Sequence, residues 1–237
     1  MSWHETLAVF DLETTGIDTE SSRIVSAHVG VIGPDGRVLE QRDWLADPGV
    51  EIPASAAAVH GISTERARAE GRPAAAVVGE ILDALAGVLG RGLAVTVYNA
   101  PYDLTLLDRE ARRHGLPPLE RPAPVVDPLV IDKTLDRYRK GKRTLGATAA
   151  HYRVSLLDAH TAGADAVAAG RVAQALARAY PAQLALEAAE LHERQIRWAE
   201  ASSRDFEAYM RRTRDPQFRC RHSWPVHPFA VDPAAVA

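Results

Sequence analysis

Apolar and polar positions along the chain fall first into the two-residue alternation of strands and then into the wider spacing of helices. Leu7, Ala8, Val9 and Phe10 give residues 6–12 an apolar run that ends on acidic residues, and Thr14-Thr15-Gly16 breaks it as a turn. Residues 23–32, with Ile24, Val25, Ala27, Val29 and Val31, read as a second strand. Pro34-Asp35-Gly36 predicts a hairpin turn and residues 37–44 the return strand. Three strands in succession at the start of an α/β chain predict a mixed sheet with an antiparallel edge.

Helical spacing dominates the remainder. Val77, Ile81, Leu85 and Val88 line one face of a helix over 73–89, with Pro73 in its first turn. Residues 93–98 predict a buried strand ending at Asn99, which is the expected N-cap of a helix running to about His114. Gly115 closes that helix and Pro117-Pro118 turns the chain. Val125-Val126-Asp127 predicts a short strand before a helix at 128–138; further helices are expected over 144–152 and 161–180, the second rich in alanine and stopped at Pro181. The character then changes. Residues 182–212 carry a polar, alanine-rich helical pattern punctuated by Trp198, Phe206 and Tyr209, whereas 213–237 are rich in proline, histidine and aromatics without a period. The pattern therefore divides the chain into a domain over 1–180 and a helical and irregular extension over 181–237. No repeat with a period of about 20 to 50 residues is present.

Composition narrows the classes. A chain of 237 residues holds one α/β domain with an extension more readily than two enzymatic domains. With 46% hydrophobic and 25% charged residues, disordered and fibrous classes are excluded. The 28 basic and 31 acidic residues give a net charge of −3, which excludes a polyanion binder that relies on bulk charge. A nuclease remains allowed, because its site must be acidic to hold the cations that attract phosphate. The single cysteine, Cys220, permits no intramolecular disulfide and fits a reducing compartment. The first residues lack a signal-peptide pattern, and no apolar run approaches the ~18 to 20 residues of a membrane span. The expectation is a cytoplasmic protein without a membrane partner.

Three acidic elements carry the candidate chemistry. Asp11-Leu12-Glu13 stands at the end of the first strand, where residues two apart point to the same side, so both carboxylates face one spot. Hard cations such as Mg²⁺ take oxygen ligands of this kind. Asp-x-Glu alone recurs by chance, but Asp-Leu-Glu-Thr-Thr-Gly closing a buried strand is more specific. In Asn99-Ala-Pro-Tyr-Asp103 the acid falls about one turn into a helix, where helix-terminus electrostatics alone also favours a carboxylate. In His160-Thr-Ala-Gly-Ala-Asp165 an acid sits among Ala162, Ala164, Ala166 and Val167, a setting that solubility does not explain. Asp127, also at a strand end, reads as a helix cap or a support for the other acids.

In this order and at these separations, the three elements resemble the DEDD superfamily of 3′→5′ exonucleases, in its histidine-containing branch with the proofreading epsilon subunit of bacterial DNA polymerase III and ribonuclease T. Arg23-Ile24-Val25 follows the first motif as in that family, and Val59-His60-Gly61-Ile62-Ser63 matches its Val-His-Gly-Ile-Thr-like segment; the similarity runs from about residue 5 to 178. It implies an α/β, ribonuclease H-like mixed β-sheet flanked by helices, with a C-terminal helical extension. It also implies that Asp11, Glu13, Asp103 and Asp165 hold two Mg²⁺ or Mn²⁺ ions. His160 is then the general base, since an imidazole titrates near neutral pH. Leu12, Thr14, Thr15, Val59, His60 and Tyr102 match positions that grip the terminal nucleotide, Tyr102 either stacking on a base or packing into the core.

Two departures, Tyr98 and Pro101, stand where many relatives have histidine and a small residue. They bear on the nucleotide pocket, and with it on DNA against RNA. The implied activity is metal-dependent release of nucleoside 5′-monophosphates from the 3′ end of single-stranded nucleic acid, DNA somewhat favoured, in the setting of DNA repair. The alternatives are an exoribonuclease acting on RNA ends or short oligoribonucleotides, and a catalytically inactive nucleic-acid-binding module. With no companion domain legible, the chain reads as a stand-alone exonuclease or a small subunit, either monomer or homodimer. The extension carries Arg194, Arg197, Arg204, Arg211, Arg212, Arg214, Arg219 and Arg221. It is expected either to pack on the domain or a second copy, or to meet a nucleic-acid backbone or a polymerase or other replication or repair partner.

Overall fold

The alternation at the start of the chain builds the centre of a sheet. The computed structural model describes residues 2–155 and 161–229. In them β1 (Leu7–Thr14), β2 (Ile24–Ile32) and β3 (Val38–Asp47) pair antiparallel, with Asp11 opposite His28 and His28 opposite Asp43. Helices α1 (Ala54–His60) and α2 (Thr64–Glu70) lead to the two-residue edge strand β4 (Arg72–Pro73), which is parallel to β3. Beyond α3 (Ala74–Gly90), β5 (Val95–Thr96) pairs parallel with β1; beyond α4 (Ala100–Arg113), β6 (Val125–Val126) pairs parallel with β5. The sheet order is β4-β3-β2-β1-β5-β6, the mixed sheet that the strand pattern predicts. The strand expected at 93–98 shortens to Val95–Thr96 in the ladder.

β1 is central and buried on both faces, as its apolar run requires. Ala8, Phe10 and Leu12 point to one side and pack with Val77, Ile81 and Leu85 of α3 and Leu104 and Leu107 of α4. Leu7 and Val9 point to the other, where they meet Val172 and Leu176 of α7 (Ala162–Ala179) and Ile131 of α5 (Pro128–Leu135). Helix α7 lies against the sheet at Gly170, where an added Cβ would stand 2.6 Å from both Val9 and Ile32. Between α5 and α7, α6 (Leu145–His151) is capped by the Thr144 hydroxyl.

The extension lies on the β6 edge. After α8 (Pro181–Leu184), α9 (Ala188–Thr213) buries Leu191, His192 and Gln195. Gln195 donates to the Val125 carbonyl at 3.0 Å and accepts the Asp127 N–H at 2.7 Å, and His192 accepts the Val125 N–H at 3.1 Å. Side chains of α9 thus satisfy main-chain groups that the outer edge of β6 would otherwise leave open. Residues 214–229 return across the domain as a strap: Trp224 packs 5.0 Å from the His192 ring and is buried in the core that holds Phe10. No helix among the described residues is long and apolar enough to cross a membrane.

Candidate active site

β1 delivers Asp11 and Glu13 on the face it turns toward α7, the face of Leu7 and Val9. The N-terminus of α7 brings Asp165 to them, capped by Thr161, whose hydroxyl accepts the Ala164 N–H. One carboxylate oxygen from each of Asp11, Glu13 and Asp165 lies within 4.8 Å of the others. Asp103 enters from α4, 3% exposed, and accepts the Leu12 N–H at 3.1 Å, which ties the helix to the strand between the two β1 acids.

Burial and mutual repulsion dominate the electrostatics of this cluster. Burial raises Asp11 well above the ordinary carboxylate range, and the charges of Asp103, Glu13 and Asp165 add to it. Burial, then Asp165, pushes Glu13 up to about 7. Burial also raises Asp103, opposed by the hydrogen bond from the Leu12 amide. Converging carboxylates in a poorly solvated place hold protons unless a positive charge replaces them.

Asp127 supports the arrangement from behind. Asn99 is the N-cap residue of α4, as expected, but it occupies the left-handed region at φ 67 and makes no side-chain cap bond. Asparagine is among the few residues that adopt this conformation readily. Asp127 instead accepts the N–H groups of both Asn99 and Ala100 at 3.0 Å, besides capping α5 through Leu129 N–H. The indole of Trp224 donates to the same carboxylate at 3.3 Å.

The residues expected to grip a nucleotide divide. Thr14, Tyr102 and the Gly16 carbonyl form a closed triangle, with Tyr102 Oη 2.5 Å from each of the other two and Thr14 Oγ1 2.8 Å from Gly16. The Tyr102 hydroxyl is pushed up to about 12, first by burial and also by the nearby charges of Asp103, Glu13 and Asp11. Thr15 Oγ1 accepts the Arg23 N–H at 2.9 Å, so this side chain shapes the turn. The Leu12 side chain is buried in the core, leaving its main chain toward the acids. Val59 is 55% exposed at the end of α1, an apolar side chain free of the core. His60 is buried, accepts the Ile62 N–H on Nδ1 and is held below the usual imidazole range by burial. His160 lies outside the described residues.

Two supports escape a reading of the sequence alone. His28 is buried opposite Asp11, and its Nδ1 lies 2.7 Å from Asp43. One histidine among nine in a β-strand carries no mark of this. Trp224, Gln195 and His192 reach the β6 edge from beyond residue 180, and only the fold shows the distance closed.

Comparisons with known proteins agree with the fold. Residues 8–173 match the Exonuclease family typified by RNase T. The PolC-type DNA polymerase III of Streptococcus agalactiae is 30% identical over 174 residues, covering 73% of this chain and 11% of that protein. That of Lacticaseibacillus paracasei is 30% identical over 168 residues, covering 71% and 11%. The chain therefore spans about a tenth of the length of these curated relatives. Among solved structures, E. coli exonuclease I in complex with a dT13 oligonucleotide shares the fold at TM-score 0.64 and 18% identity, over 76% of this chain and 42% of that one. Exonuclease I of Methylocaldum szegediense does so at TM-score 0.61 and 20% identity, over 74% and 41%. The chain belongs to the RNase T exonuclease family, within the DEDD superfamily of 3′→5′ exonucleases.

Proposed function

We propose that the chain removes nucleoside 5′-monophosphates from the 3′ end of single-stranded nucleic acid, DNA in preference to RNA, with Mg²⁺ or Mn²⁺ as cofactor. The observation that carries this reading is the meeting of Asp11, Glu13 and Asp165 within 4.8 Å. The donor set fits two hard divalent ions: the groups are all carboxylates, and burial together with one another's charge raises Asp11 and Glu13. Asp11, Glu13, Asp103 and Asp165 would hold the ions. When bound, such a pair polarises the phosphodiester and neutralises charge developing on the leaving 3′ oxygen.

The other roles belong to the chain's own groups. Asp103 fixes the Leu12 main chain, and Asp127 fixes the Asn99–Ala100 corner that carries Asp103. The Tyr102 hydroxyl locks the 14–16 turn, which leaves its ring face and the exposed Val59 for the terminal base and sugar, with Thr14, Thr15, His60 and the Leu12 main chain around them. His160 is assigned, by the family resemblance, to take the proton of the attacking water.

The DNA preference rests on the relatives: the solved exonuclease I complexes hold dT13 and dA16 oligonucleotides, and the curated relatives are DNA polymerases. Rates on single-stranded DNA and RNA of one sequence, with Mg²⁺ and with Mn²⁺, test it. Faster loss of DNA supports the reading, and faster loss of RNA transfers the chain to exoribonucleolysis. Binding without hydrolysis under every condition would make it an inactive module. The extension is read as a packed part of this enzyme, since α9 completes the β6 edge; a co-purification with a replicative polymerase would add a partner to it.

A further inference from the structure

We propose that Glu207, Cys220 and His222 form a second metal site, of thiolate, imidazole and carboxylate, that takes Zn²⁺ or a similarly soft divalent ion and fastens the strap at 214–229 to α9. One ligand atom from each lies within 4.8 Å of the others. Glu207 comes from the last turns of α9, and Cys220 and His222 from the strap.

The hydrogen bonds fix how these groups present themselves. The Ser203 hydroxyl donates its single proton to the Glu200 carbonyl at 2.9 Å. Its oxygen, 2.8 Å from His222 Nδ1, therefore accepts from Nδ1–H. In the neutral ring Nε2 then carries the lone pair, and it faces Glu207 Oε2 at 3.4 Å. Two acceptors held face to face require a cation between them, either a proton or a metal. Cys220 adds a sulfur beside them: its main-chain N–H donates to the same Oε2 at 2.9 Å and its thiol to the Ser203 carbonyl at 3.2 Å. Arg211 and Arg219 meet Glu207 on the other oxygen, Oε1, at 2.5 and 3.8 Å, so Oε2 stays directed at the histidine.

The donor set separates this site from the one on β1. Sulfur, nitrogen and oxygen suit Zn²⁺, whereas an all-carboxylate cluster suits Mg²⁺ or Mn²⁺. On binding, the Cys220 thiol releases its proton to solvent, the sulfur and Nε2 donate to the ion, and a water takes the remaining position. Ser203 on Nδ1 is the kind of outer hydrogen bond that orients a metal-bound histidine. The ligands are partly exposed, and Cys220 and His222 border a cavity of about 280 Å³ that also reaches Asn99, Asp127 and Trp224. An ion here would brace the strap that delivers Trp224 to Asp127.

Because Cys220 is the only cysteine in the sequence, a thiolate-to-Co²⁺ charge-transfer band can arise from this site alone. Co²⁺ is titrated into the full chain in excess Mg²⁺, which occupies the carboxylate cluster. The expected result is a thiolate band that saturates at one equivalent, is displaced by Zn²⁺, and weakens about tenfold or more in affinity in His222→Gln and Glu207→Gln. Absence of the band overturns the site. A band whose affinity both substitutions leave unchanged does so too, since the thiol would then bind alone. Should the variants fold poorly, alkylation of Cys220 in the unaltered chain decides: Zn²⁺ but not Mg²⁺ should slow it, and an unchanged rate contradicts the proposal.

Discussion

Gly170 sets how closely the helix that carries Asp165 approaches the strand that carries Asp11 and Glu13. In Gly170→Ala the new Cβ would lie 2.6 Å from Val9 Cγ1 and from Ile32 Cδ1, both on fully buried residues. Carbon atoms in contact settle at about 3.5 to 4.0 Å, so α7 must withdraw by about 1 Å or its neighbours must leave their rotamers. Overpacking of this kind costs about 1 to 3 kcal/mol, against about 1 kcal/mol that alanine gains over glycine inside a helix. Gly87→Ala in α3 supplies the comparison, since its Cβ would meet nothing within 4 Å and only the helix gain applies. The two variants should therefore differ by about 1 to 3 kcal/mol in denaturant unfolding, Gly87→Ala being the more stable. Gly170 lies five residues beyond Asp165 in the same helix, so a shift of about 1 Å passes to the carboxylate. Loss of that placement should lower nuclease turnover by up to about a hundredfold. If Gly170→Ala is stabilised as much as Gly87→Ala and keeps full turnover, the close approach of α7 does not set the geometry of the site.

Four further outcomes test other parts of the account. In metal-free protein, Glu13 holds its proton up to about pH 7, whereas an unfolded glutamate releases it near 4.5. The folded state then binds more protons across that window, so stability falls as pH rises through it, by at most about 3 kcal/mol for this residue and by less once solvent screening of its partly wet carboxylate is counted. Thermal melts in EDTA should decline from pH 5 to 7 and those in saturating Mg²⁺ should not; parallel curves would separate the acids from the metal. Asp127→Asn loses one of the two acceptor oxygens serving Asn99, Ala100, Leu129 and Trp224, and should cost about 1 to 3 kcal/mol along with turnover, read by unfolding and by kcat. Tyr102→Phe releases the 14–16 turn, and should raise KM for oligonucleotide more than it lowers kcat; an unchanged KM would confine the hydroxyl to stability. A chain ended at Pro181 leaves Val125 and the Asp127 N–H without Gln195 and His192, and should fail to give a cooperative melt; a melt equal to that of the full chain would make residues 1–180 an independent domain.

The sheet and the acids were legible in the sequence for physical reasons. A strand buried on both faces must be apolar throughout, so Asp11 and Glu13 at the end of 7-LAVF-10 stand out against that requirement. Asp165 stands out in the same way at the start of an alanine-rich helix. What stayed hidden depends on residues far apart in the chain. Asn99 holds the N-cap position of α4, yet the carboxylate that accepts its N–H and that of Ala100 belongs to Asp127, far along the chain. Nor does anything local in α9 announce that Gln195 completes the pairing of an edge strand, since a glutamine in a polar helix reads as solvated. The extension looked separable at Pro181 because composition changes there, while the hydrogen bonds that join it to β6 leave no periodic trace.

The central claim is that Asp11, Glu13, Asp103 and Asp165 form a divalent-metal centre for exonucleolysis from the 3′ end. It is tested most directly by following a 5′-labelled single-stranded DNA through time with the unaltered chain, with Asp11→Ala, and with the unaltered chain in EDTA. The account predicts a ladder shortening from the 3′ end in Mg²⁺ or Mn²⁺, with nucleoside 5′-monophosphates released, and no shortening in the variant or in EDTA. Undiminished degradation by Asp11→Ala, or in EDTA, would contradict it.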